Sequence, residues 1–377
     1  MDLQQNRAET ENQGTINISQ DNGTSYLNSN HAVVEVFTSA ATNAFRTKEE
    51  VVTACEKIYS PVLRCMKLFG LYFGDTSMAK LKEADSAQGG GIMSFSFLYC
   101  IVINTCLWFY AAMALVSLCM GGSSNPVPFF VLLSGLLWGL KTALNSVICF
   151  IVLPLTSSKK SRFETFLRSL VESSIDLSKL KSYSMKVLIA TGVALILSSG
   201  WTIVTFLYIP WTFVANTKPW NDWNALAPVS AVIISTFVTG AWLFPVVFIC
   251  TTSVVLENLF DQFSKRVLCI DRHIWQLDLA RLRVEHRKLC DIVELASDML
   301  SPFLFVLVAA HIPLTCFCFY VSVNAHGALG GDWRQVPYIV GTLFWLMLSL
   351  MTLAVIMVFG ARLNGKVSEL FKSMYLN

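Results

Sequence analysis

Six stretches of the chain, residues 92–120, 128–155, 186–215, 228–256, 302–325 and 336–360, are apolar almost throughout. A helix rises about 1.5 Å per residue and the hydrocarbon core of a bilayer is roughly 30 Å thick, so each stretch is long enough to cross it. The pattern predicts an all-α fold, a polytopic membrane helix bundle with six spans. Between the spans the pattern changes character. Residues 1–31 are rich in Asn, Gln, Ser and Thr and bury too little apolar surface to offset the entropy of ordering, which predicts a disordered tail. Residues 32–73 mix apolar and charged positions at a helical period, and Arg64 and Lys67 amid Leu63, Met66, Leu68 and Phe69 predict a helix lying at the inner headgroups. A polar linker then ends in Gly89, Gly90 and Gly91. Beyond the fourth span Leu268, Trp275, Leu282 and Leu289 recur every seven residues, with Leu279 and Val293 in the alternate seam, which predicts a helical pair outside the membrane. The expected organisation is therefore a tail over 1–31, amphipathic helices and linker over 32–91, spans one to four within 92–256, a helical anchor region over 257–301, spans five and six within 302–360, and a second tail over 361–377.

Charge fixes the expected orientation. The loop 156–185 carries Lys159, Lys160, Arg162, Arg168, Lys179 and Lys181, and the region after the fourth span carries Lys265, Arg266, Arg272, Arg281, Arg283, Arg287 and Lys288. On the opposite side, 121–127 has no basic residue, 216–227 has only Lys218 and 326–335 only Arg334. Cytoplasmic loops carry the excess of Lys and Arg, so the amino terminus is expected in the cytoplasm, and six spans return the carboxyl end there too. This orientation is opposite to that of a G-protein-coupled receptor. The sequons at Asn17 and Asn22 then fall on the side that glycosylation does not reach. Composition agrees: 54% hydrophobic and 14% charged residues, with mean hydropathy +0.56, lie far from a soluble domain with about 25% charged residues. A net charge of +3 gives no sign of a nucleic-acid partner. Cys55, Cys65, Cys269 and Cys290 fall in expected cytoplasmic segments, which argues against a disulfide framework.

These residues resemble the insect-type gustatory receptor superfamily, including the gustatory-receptor-like proteins of other animals, which share the fold of insect odorant receptors. Three features carry the resemblance: the pre-membrane segment Leu68-Phe69-Gly70-Leu71, the inside amino terminus, and the run from Leu282 through His286 and Leu289 to Phe303, Leu304 and Phe305. The likeness spans about residues 50–375. It implies a chemosensory protein of the plasma membrane, a small organic ligand held between the outer halves of the spans, and a cation channel assembled as a tetramer through helices outside the membrane. One departure stands beside these matches. The family carries a seventh, pore-lining span with a Thr-Tyr, five apolar residues, then Gln-Phe signature, and the chain to Asn377 contains none. The expectation is either a truncated product or a six-span relative that recognises ligand without conducting alone.

Lys141 is the sharpest candidate residue, because a charge at the bilayer centre costs about 2.5–3.5 kcal/mol even on lenient insertion scales. Ser134, Trp138, Lys141 and Asn145 follow three- and four-residue steps and share one helical face. A ligand contact and a structural, snorkelling lysine are both open readings. Gly135 and Gly139 form a GxxxG, which points to close packing. Aromatics and hydroxyls gather in the outer halves of the later spans: Trp201, Thr205, Tyr208 and Trp211; Ser235, Thr236 and Thr239; Thr315, Phe319 and Tyr320; Tyr338, Thr342 and Trp345. Of these, Trp201, Tyr208, Thr239, Thr315, Tyr320, Thr342 and Trp345 join Trp138, Lys141 and Asn145 as candidate ligand contacts. Trp211, Trp220, Trp223, Trp333 and Tyr338 fit equally an interfacial belt. Pro210, Pro245 and Pro313 fall in or near spans, where they free backbone carbonyls. His311, mid-span, is either a proton sensor or a neutral core histidine. Together Lys141 and His311 would also equip a secondary transporter, although no repeat of two halves is visible. Cys269 and His273, with His286 and Cys290, have ligand spacing for zinc only if the chain folds back as a hairpin. No phosphate loop, nucleophile elbow or H-E-x-x-H helix occurs, so neither catalysis nor a cofactor is expected.

Overall fold

A computed structural model describes residues 48–74, 95–120, 129–153, 161–173, 176–177, 180–208, 226–268, 275–328 and 336–376. Among the described residues there are eight helices: α1 (Lys48–Leu68), α2 (Phe95–Met120), α3 (Phe129–Val152), α4 (Arg162–Glu172), α5 (Leu180–Tyr208), α6 (Leu226–Leu268), α7 (Trp275–Ala328) and α8 (Val336–Leu376). Six of these, α2, α3, α5, α6, α7 and α8, are long and apolar enough to cross a membrane, which bears out the all-α, six-span expectation. The expected tail over 1–31, the linker over 75–91 and the loop tryptophans Trp211, Trp220, Trp223 and Trp333 lie outside the described residues, as do the side chains of Tyr208 and Tyr338.

α6 is the axis of the bundle. Over half of its span segment (56%) is buried inside the protein, against 44% for α3 and only 17% for both α5 and α8. Prolines do not break the long helices: Pro245 lies inside α6, and Pro302 and Pro313 lie inside α7. On α7 the buried positions Leu289, Ile292, Ala296, Met299, Phe303, Leu307, His311, Leu314, Cys318 and Val321 step by three or four residues, one apolar stripe running the whole length. α6 and α7 both continue past the apolar stretches. The seven-residue run is thereby divided between two helices, because Leu268 closes α6 and Trp275 opens α7. Arg266 of α6 reaches Glu285 of α7 at 3.2 Å, and the Phe263 and His286 rings lie 5.9 Å apart.

The largest apolar core includes α1 and α4 at this charged end and runs from there into the spans, to Ala143, Ala241 and Leu307. α1 is a correction to the sequence expectation. Val51, Val52, Cys55, Ile58, Tyr59, Val62, Leu63 and Met66 are all at most 1% exposed, so its apolar face is covered by α4, α5 and α6 and not by lipid headgroups. α4 lies in what the sequence reads as a basic loop. Ser161 caps it by accepting from the Glu164 backbone N–H at 3.0 Å, and Phe163, Phe166, Leu167, Leu170 and Val171 face the core. Its Arg162 donates to the Asp298 carbonyl of α7 at 2.8 Å.

The end of α1 explains the Leu68-Phe69-Gly70-Leu71 segment. Gly70 has φ +69°, Gly70 N–H donates to the Lys67 carbonyl, and Leu71 N–H donates to the Met66 carbonyl at 2.8 Å, the two bonds of a Schellman motif. Tyr99 of α2 donates to the Leu68 carbonyl at 2.6 Å. The Phe69 ring fills the place a Cβ would take at Gly240 of α6, between Phe237 and Phe244. A Cβ at Gly70 would come within 2.6 Å of Ile103. Left-handed backbone costs a non-glycine residue roughly 1–2 kcal/mol and overpacking adds about 1–3 kcal/mol. Gly70→Ala is expected to lower the unfolding temperature and to loosen α1. Cys55, on the buried face of α1, reports the loosening. Burial pushes its thiol up to about 12, so at pH 8 it stays protonated and out of reach. Maleimide at pH 8 should leave Cys55 unmodified in the parent and modify it in Gly70→Ala; equal labelling of both would show that α1 is not docked this way.

A candidate ligand site around Lys141

Lys141 lies on α3 where that helix meets α6 and α7, and it is 1% exposed. Its Nζ sits 4.8 Å from the Trp138 ring centroid and 5.0 Å from that of Trp242 on α6. Both lie within the distance at which an indole face attracts a cation. The third partner is His311 of α7, whose Nε2 is 3.0 Å from Nζ. His311 Nδ1 faces the Leu307 carbonyl at 2.9 Å, and a carbonyl only accepts, so the ring proton is on Nδ1 and Nε2 offers its lone pair to the ammonium. The two indole faces and the acceptor Nε2 offset part of the cost of holding an ammonium at this depth. The lysine is held inside and does not snorkel.

The cage belongs to a wider aromatic chain. Trp138 packs on Trp242 at 4.9 Å and edge-on to Trp345 of α8 at 4.7 Å. Trp345 meets Phe344 at 5.6 Å, and Phe344 stacks on Trp201 of α5 at 5.8 Å. Gly341 lets this last helix pair close, since a Cβ there would lie 3.2 Å from the Trp201 ring. Rings and cation thus join five of the six spans, α3, α5, α6, α7 and α8. α2 packs instead on the back of α3, where a Cβ at Gly139 would come within 3.2 Å of the Ala111 backbone, as the GxxxG predicts.

The candidate residues separate into three groups. Trp138, Lys141 and Trp345 meet directly, with Trp201 at the end of the chain of rings. Asn145, one turn from Lys141, is 1% exposed, and neither side-chain polar atom finds a hydrogen-bond partner among the described residues. Thr239 and Thr315 are engaged elsewhere: Thr239 pairs with Ser198 at 3.2 Å, stitching α5 to α6, and Thr315 pairs with Ser349 at 2.8 Å, stitching α7 to α8. Ser199 and Thr236 add a second such stitch at 3.1 Å. Thr342 is half-buried beside Gly341, while Tyr320 and Phe319 are 47% and 60% exposed on α7. Trp242 is the residue that sequence reasoning missed. The signal was present, because a tryptophan between Gly240 and Pro245 in mid-span is too deep for an interfacial belt. His286 and Cys290 lie 3.8 Å apart, while Cys269 and His273 are outside the described residues; among the described residues no cluster has metal-ligand composition.

Six helices long and apolar enough to cross a membrane, with helical extensions and an interior polar site, define a multi-pass helical membrane protein. Residues 218–375 match the family model described as Trehalose receptor. The fold is similar to that of the insect olfactory receptor OR5 from Machilis hrabei, solved in complex with eugenol, with a TM-score of 0.51 at 15% identity over 78% of this chain and 77% of that one. No curated relative matches the chain. These two likenesses bear out the resemblance to the insect gustatory and odorant receptor superfamily.

Removing one partner of a buried pair strands the other, whereas replacing both with apolar side chains of similar size is nearly neutral. His311→Leu is therefore expected to destabilise the protein by about 1–3 kcal/mol and the double variant Lys141→Met, His311→Leu by less. Thermal unfolding of the purified protein in detergent gives both values, and a double variant as unstable as the sum of its singles would mean that the two side chains do not interact.

Proposed function

We propose that the chain is a chemosensory receptor subunit in which a small organic ligand bears on the Lys141 cluster and shifts the packing of the spans. The observation that carries this reading is a single intramembrane cation enclosed by aromatic rings where α3, α6, α7 and α8 converge. Charged groups kept at such depth against their cost mark functional sites. Trp138, Lys141, Asn145, Trp201 and Trp345 form the proposed core of the site, with Trp242 and His311 added to them. Tyr208, Thr239, Thr315, Tyr320 and Thr342 stay as outer candidates. The olfactory receptor of like fold is in complex with eugenol and the matching family model is named for trehalose, which supports a small organic ligand.

A ligand acts here by preferring one arrangement of the spans over another. Driving a two-state bundle from one side to the other takes about a 10⁴-fold difference in affinity, and a site touching five helices at once has the reach to supply it. The proposed readout is a cation pore in an oligomer, a tetramer by resemblance, of this chain alone or with other subunits. The extensions of α6, α7 and α8 beyond the apolar stretches are the proposed assembly region, placed in the cytoplasm with the amino terminus by the distribution of Lys and Arg. The site of action is the plasma membrane.

The purified chain in a planar bilayer, challenged with eugenol and with trehalose, tests the reading. A ligand-evoked cation current is expected, with Trp138→Ala shifting the concentration response upward by roughly tenfold, equivalent to about 1.4 kcal/mol. Saturable uptake of a probe without current would favour instead a secondary transporter using Lys141 and His311.

A further inference from the structure

The six apolar stretches contain no Asp or Glu at all, so the bundle encloses the Lys141 cation without an internal carboxylate to neutralise it. Among the described residues Lys141 makes no ion pair, and its polar partner is the neutral acceptor Nε2 of His311. An ammonium has three N–H donors and only one of them is used on His311. The neighbouring polar groups add further donors. Trp242 Nε1 is a buried donor with no partner among the described residues, and the amide of Asn145 is buried with both of its polar atoms unpartnered. Buried polar groups in native proteins are satisfied by protein, water or ligand. Around them the Trp138 ring packs on those of Trp242 and Trp345 at 4.9 and 4.7 Å, an apolar contact that a ligand would enter by parting the rings.

We propose that this site takes an organic carboxylate: an apolar, ring-sized body against Trp138, Trp242 and Trp345, with an anionic head on Lys141. The inference rests on the reading of the Lys141 cluster as a ligand site. The bound state is the same from either starting form. A carboxylate pairs with the ammonium directly, and an undissociated acid entering from the membrane gives its proton to the amine, leaving ammonium and carboxylate. An amine ligand would face a like charge, and a neutral alcohol would bring the ammonium no opposite charge.

Three probes with the same phenyl body and different heads test the inference on the purified full chain in lipid nanodiscs: phenylacetate, 2-phenylethanol and 2-phenylethylamine, with trehalose as a fourth arm. Tryptophan fluorescence and thermal unfolding report binding. Phenylacetate is expected to bind at roughly ten- to a hundredfold lower concentration than the alcohol or the amine, the range a charged hydrogen bond supplies. Lys141→Arg should keep that preference and Lys141→Met should remove it. Equal or tighter binding of the alcohol, the amine or trehalose, weakened by Trp138→Ala, would overturn the carboxylate inference and leave the ligand site standing. Phenylacetate binding that is unchanged in Lys141→Met would overturn it as well. The absence of any Trp138-dependent response across all four arms would overturn the site together with the inference.

Discussion

One cation without a counter-ion organises the interior of this bundle. In water Lys141 would cost nothing. Among six apolar stretches free of carboxylates, its compensating groups come from three helices. The indole faces come from α3 and α6, and the acceptor nitrogen comes from α7, itself oriented by the Leu307 carbonyl one turn away. The rings then propagate the arrangement to α8 and α5 through Trp345, Phe344 and Trp201. Packing of apolar helices in lipid is weakly directional by itself, since lipid tails are as apolar as the side chains. The Lys141 cluster supplies register where a leucine-lined interface would not.

The two ends of the long helices are built on different physics. Beside Trp138 and Trp345, buried Leu314, Cys318 and Leu346 form a satellite cluster apart from the main core. At the charged end a continuous apolar core takes in α1, α4 and the extensions of α6 and α7, and its polar edge is closed by backbone hydrogen bonds. Asn258 and Gln262 of α6 both donate to the Asp176 carbonyl, and Arg162 holds the Asp298 carbonyl. The buried stripe of α7 runs unbroken from Leu289 to Val321, so one helix carries both His311 and side chains of that core.

Much of the fold was legible because length and apolarity alone decide which segments cross a bilayer, and the six spans emerged with their order intact. The site was half legible. Lys141 and Trp138 stood out, since a charge in an apolar run and a three-residue step are visible in one dimension. Its pairing with His311 was not visible, because the two residues are 170 positions apart and nothing local to either names the other. Thr239 and Thr315 read as pocket hydroxyls, and their pairing with Ser198 and Ser349 is set by helix rotation that periodicity leaves free. The period of α1 shows its apolar face, and the structure shows that protein covers it. Pattern shows that a face is apolar, not whether lipid or protein covers it. α4 was missed although Ser161-Arg162-Phe163-Glu164 carries the Ser-x-x-Glu capping signature, because the density of Lys and Arg around it reads as an orientation signal.

The central claim is the contact between Lys141 and His311 in the membrane interior. Magic-angle-spinning NMR of the chain in lipid, with 15N at lysine Nζ and in the histidine rings, measures it. The account predicts a dipolar cross peak between an Nζ and an unprotonated Nε2, with the ring proton on Nδ1, and loss of that peak in Lys141→Met. A spectrum with no lysine–histidine cross peak, or with the proton on Nε2, would contradict it.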